Sequence, residues 1–65
     1  MRTLSNLSVG TIIVYTDQSN PHTEFVVLDT FSNQFGIFVN IMNLESKTIE
    51  PKNANTRLDS RWTIS

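Results

Sequence analysis

His22 is the only histidine in this 65-residue chain, and it lies in a polar loop between Asp17 and Glu24. That is the one stretch where an imidazole and a carboxylate come close enough in sequence to share a proton. General acid–base work needs a partner held at hydrogen-bond distance, however, and Asn20-Pro21-His22 reads as a solvated turn. One histidine and no cysteine exclude a metal site built from thiolates or paired imidazoles. The carboxylates Asp17, Glu24, Asp29, Glu45, Glu50 and Asp59 are dispersed, without the spacing of a catalytic pair or a calcium loop. No nucleophile motif surrounds any serine or threonine. Two glycines are too few for a loop that cradles phosphate. The expectation is a chain with no catalytic residue, no metal and no cofactor, and so not an enzyme.

The cations carry more information. Lys47, Lys52, Arg57 and Arg61 all follow residue 46, against Glu50 and Asp59, which makes that tail +2. Residues 1–45 carry one basic and four acidic residues, or −3. A modest basic patch at one end of the fold would suit single-stranded nucleic acid, with Phe31, Phe38 and Tyr15 as bases' stacking partners. Useful phosphate affinity generally neutralises ~6 or more charges. The chain has five cations in all, so nucleic acid is the second choice.

The elements that must position these residues are strands. The run 33–44, NQFGIFVNIMNL, alternates Phe35, Ile37, Val39 and Ile41 at a period of two, the mark of a strand with one buried face. Its even positions include Phe38, Met42 and Leu44, so this central strand is apolar on both sides. Before it, Thr11–Thr16 is nearly continuously β-branched and Glu24–Asp29 forms a second strand, with Thr30–Asn33 as the turn between. Asn43–Lys47 reads as a tight hairpin, leading to a short strand through Thr48 and Ile49 that Pro51 closes. Residues 52–60 lack alternation and are expected to form one 3-10 turn plugging the barrel end. Arg61–Ile64 is the last strand.

No stretch supports an amphipathic helix of ~10 residues, so the class is all-β, as a single domain over residues 1–65. Leu7-Ser8-Val9-Gly10-Thr11-Ile12-Ile13-Val14-Tyr15, an apolar residue, a glycine turn and a β-branched strand, resembles the opening of SH3-like small barrels. The resemblance implies a five-stranded antiparallel barrel; an OB-like five-stranded barrel is the alternative. Val9, Ile12, Val14, Phe25, Val27, Phe35, Ile37, Val39, Ile41, Leu58, Trp62 and Ile64 are expected inside. The opposite register of the first strand would exchange Ile12 and Val14 for Ile13 and Tyr15.

So small an interior cannot hold both faces of the central strand. Phe38 and Met42, extended by Phe31 and Tyr15, are therefore expected to form an exposed apolar patch of the kind that marks a partner surface. The expected function is a non-catalytic protein-binding module, its partner another protein or a second copy. The opening MRTLSNLSVG has one basic residue and no apolar core segment, so it does not read as a secretory signal. No run approaches the ~20 residues of a membrane span, and a cytoplasmic location is expected.

Overall fold

A computed structural model of the chain describes residues 2–19 and 21–64. Asn20, half of the expected Asn-Pro loop, lies outside the described residues. A 3-10 helix, Leu4–Asn6, precedes five strands: β1 (Ile12–Tyr15), β2 (Thr23–Asn33), β3 (Gly36–Asn43), β4 (Ile49–Asn53) and β5 (Trp62–Ile64). All pair antiparallel in one sheet of order β4-β3-β2-β1-β5. Among the described residues no ladder joins β4 to β5, so hydrogen bonds do not close the sheet on itself.

Two side chains build the turns that frame β3. Asn33 Oδ1 accepts from the Phe35 amide at 2.8 Å, and Gly36 takes φ +129°, leaving a two-residue tip of Gln34 and Phe35. At the other end Asn43 Oδ1 accepts from the Glu45 and Ser46 amides at 2.8 and 3.1 Å. Because φ near +129° strains any L side chain, Gly36→Ala should cost about 1 kcal/mol or more, read as a lower urea midpoint at unchanged slope.

The core is Leu4, Ile13, Val27, Val39, Ile41 and Ala54, with Leu7, Phe25, Leu58, Trp62 and Ile64 packed around it. Several expectations are corrected here. β1 turns Ile13 inward, not Ile12 and Val14, because Ile13 then opposes Phe25 on one side and Ile64 on the other. Val14 opposes only Glu24 and Thr63, which offer it no apolar neighbour. Phe35 is 77% exposed because the hairpin tip removes it from the strand alternation. Val9 is 71% exposed in the turn that Gly10 makes at φ +90°. Ile37, 56% exposed, lies on the projecting end of the β2–β3 hairpin, beyond the residues that β1 pairs.

The helical turn expected over residues 52–60 is not there; the 3-10 helix is Leu4–Asn6 instead. Residues 52 and 53 belong to β4, which runs through Pro51. An edge strand tolerates that proline because its missing N–H is not needed on the open side. Beyond β4 the chain zips onto the N-terminal segment. The Leu4 and Ser5 amides donate to the Thr56 and Ala54 carbonyls at 3.1 and 3.0 Å, and the Leu58 amide donates to Arg2 at 2.9 Å. This pairing sets Leu4 over the inner face of the sheet and brings Arg57 beside Thr3.

Candidate binding surfaces

The register of the sheet dictates what its outer face displays. Directly opposed residues of antiparallel strands point to the same side. Ile12 opposes Val26, Val26 opposes Met42 and Met42 opposes Ile49, which makes one aliphatic row across four strands. Ile13, Val27 and Ile41, the neighbours of these residues, are buried on the other side, so the row faces away from the core. None of its members belongs to the core cluster or packs against it. Ile12, Val26 and Met42 are half-buried, and Ile49 is 59% exposed.

A β-bulge extends this surface. The β2–β3 register shifts between Val27 and Asp29, so Leu28 is the extra residue and everything after it changes sides. Asp29 and Phe31 thereby join Met42 and Phe38 on the outer face. Asn40 Nδ2 donates to Asp29 Oδ1 at 2.7 Å, and the Phe31 and Phe38 rings stack at 5.4 Å with planes 19° apart. The result is a row of four aliphatic side chains, a polar pair, and then an aromatic pair. Phe31, Phe38 and Met42 are thus brought together. Tyr15, expected with them, is on the opposite face, because the β1 register that buries Ile13 turns Tyr15 inward too.

Tyr15 is part of a second surface, an opening of about 430 Å³ between β4 and β5. Tyr15, Phe25 and Trp62 line it with Arg61 beside them, and Glu50 and Lys52 of β4 and Arg57 line it too. The Tyr15 and Trp62 rings meet at 4.7 Å with a 59° tilt, and Phe25 meets Trp62 at 6.0 Å with a 50° tilt. Arg61 lies 5.8 Å over the Tyr15 ring while forking onto Asp59, its Nη2 2.7 Å from Oδ2. Lys52 Nζ is 3.5 Å from Glu50. Three of the four expected cations converge here; Lys47 stays in the β3–β4 turn, at φ 62°. Phe31 and Phe38, expected to stack bases beside these cations, are on the other face. The aromatic residues that do stand beside them include Phe25 and Trp62, which alternation alone assigned to the core.

The titrations of this corner follow its contacts. Tyr15 is raised above 10, first because its hydroxyl hydrogen-bonds to Asp17 and next through partial desolvation, against the opposing charge of Arg61. A value raised on folding adds stability that is full below the unfolded value and is lost as pH climbs through the folded one. As the chain has a single tyrosine, absorbance at alkaline pH should give a Tyr15 midpoint above 10. Asp17→Asn should move that midpoint down, and an unchanged midpoint would dismiss the contact. Asp59 is held below its ordinary value by hydrogen bonds from the Arg61 side chain and amide.

His22 is exposed, its Nε2 3.4 Å from Glu24 Oε1. Among the described residues, no three histidine or carboxylate side chains gather around a space for a metal ion, and no helix is long and apolar enough to cross a membrane. No protein-family model matches the chain, and no curated protein or solved structure matches it either.

Proposed function

We propose that this protein is a non-catalytic binding module whose outer sheet face docks on a protein, either a distinct partner or a second copy of itself. The observation that carries this reading is the unbroken row Ile12–Val26–Met42–Ile49, continued by the stacked Phe31 and Phe38, with no described element packed over it. A net charge of −1 does little to keep such a face dispersed in water, and an aliphatic row of this length, with an aromatic pair beyond one polar pair, is the kind of surface that marks contact sites. The five antiparallel strands and the N-terminal segment folded over their inner face support a place among SH3-like small barrels.

The test is capture on the immobilised domain, with the Phe38→Ser/Met42→Ser double variant as matched bait and a sizing run in parallel. A protein retained by the parent and lost by the variant supports a distinct partner. A parent that elutes as a dimer, with a monomeric variant, supports self-association. Equal retention on both baits and a monomeric parent would remove the proposal.

A further inference from the structure

We propose that the opening between β4 and β5 binds a nucleotide, with the base against Trp62 and Tyr15 and the phosphate on Arg57 and Lys52. This site is separate from the outer face and does not depend on what docks there. Its volume, about 430 Å³, falls within the ~300–1,000 Å³ that small-molecule pockets occupy. The opening exists because the sheet is not closed: the inward side chains of β4 stand across a gap from those of β1 and β5.

The lining combines aromatic and charged side chains. The Trp62 ring meets Tyr15 at a tilt of 59° and Phe25 at 50°, so it is stacked flat on neither. Trp62 and Tyr15 both line the opening, and with Arg61 over Tyr15 it is Trp62 that a planar heterocycle would stack on first, as bases do on aromatic side chains. The three cations that line the opening differ in availability. Arg61 is committed to Asp59 and to the face of Tyr15, and it shapes the wall. Lys52 shares its charge with Glu50 at 3.5 Å, both being about half exposed. Arg57 is exposed and makes no ion pair among the described residues, which leaves its planar fork open to a phosphate. Glu50, Asp59 and Asp17 balance the three cations of this corner in number, so what is open to an anion is the unpaired Arg57 and not a net positive charge.

One or two available cations set the scale of binding. Single strands lose affinity with a salt slope of about −0.7 per neutralised phosphate, so raising salt fourfold should weaken binding of the decamer about threefold to sevenfold. One or two cations are too few for a duplex binder and suit a free nucleotide or a short single strand, which present the same base and phosphate.

Trp62 is the only tryptophan, so its fluorescence reports the site directly. Adenosine monophosphate and a deoxyadenosine decamer should each quench it saturably, adenosine several-fold more weakly. Arg57→Gln should weaken binding about threefold or more, Glu50→Gln should tighten it by releasing Lys52, and Lys47→Gln should change nothing. A decamer that binds more tightly than the mononucleotide identifies a single strand; equal affinity identifies the free nucleotide. Absence of saturable quenching at millimolar ligand, or identical losses in the Arg57 and Lys47 variants, would overturn the site. Both substitutions are at exposed positions, so the folded protein is what is compared.

Discussion

Ile13→Ala is expected to unfold most of the protein at room temperature, while Phe35→Ala leaves it folded. Ile13 is 0% exposed, with Phe25 and Ile64 opposite it on its two flanks. Cutting a fully buried isoleucine to alanine costs ~2–5 kcal/mol, from lost transfer energy and from the cavity left behind. A single core of this size supplies only about 3–5 kcal/mol in total, and with no cysteine in the chain no disulfide adds to it. The loss is therefore comparable to the whole margin. Phe35 is the larger side chain, yet at 77% exposed on a hairpin tip it has little to lose, about 0.5 kcal/mol or less. Urea unfolding followed by Trp62 fluorescence measures both. If the two variants lost stability equally, the inward face of β1 and the outward tip of the β2–β3 hairpin would both be misassigned.

The second large effect is on association. Phe38→Ser/Met42→Ser removes the aromatic pair and the centre of the aliphatic row at once. Central, well-packed contact residues typically carry 2 kcal/mol or more each, so affinity for the partner of the outer face should fall about thirtyfold at least. Both side chains are only half-buried and neither packs on the core, so the variant should remain folded, with a lowered midpoint. Ile49→Lys separates the two effects. At 59% exposed its stability cost should be within about 0.5 kcal/mol, yet it sets a charge at the end of the same row. Loss of binding in Ile49→Lys at unchanged stability assigns the row to recognition. Intact binding in both variants would exclude this face as the contact.

The class of fold was legible from residue types alone. β-branched runs at 11–16 and 24–29 and the alternation of 37–41 demanded strands. Asn43 marked the turn after the central strand, but the turn expected at Thr30–Asn33 is strand, and the tip falls at Gln34-Phe35, where Asn33 bonds the Phe35 amide and Gly36 takes a positive φ. That the central strand is apolar in two directions was equally visible, and Phe38 and Met42 do lie opposite the core. The absence of thiols and the low charge are fixed by composition.

Which face of each strand points inward was decided only in three dimensions. Ile12-Ile13-Val14-Tyr15 reads equally well in either direction, and the choice depends on Phe25, Trp62 and Ile64, which are distant in sequence. The Leu28 bulge has no mark in its own residues, yet it carries Phe31 to the side of Phe38. Leu4 and Ala54 are buried because two chain segments fifty residues apart zip together, a contact that no local period announces. The opening between β4 and β5 has the same origin: Tyr15, Trp62, Lys52 and Arg57 meet because β4 and β5 end the sheet on opposite edges and it curls until they face each other. Short-range preference sets the conformation of a strand, but only the pairing of remote strands sets its register, and in a chain this small the register determines every surface.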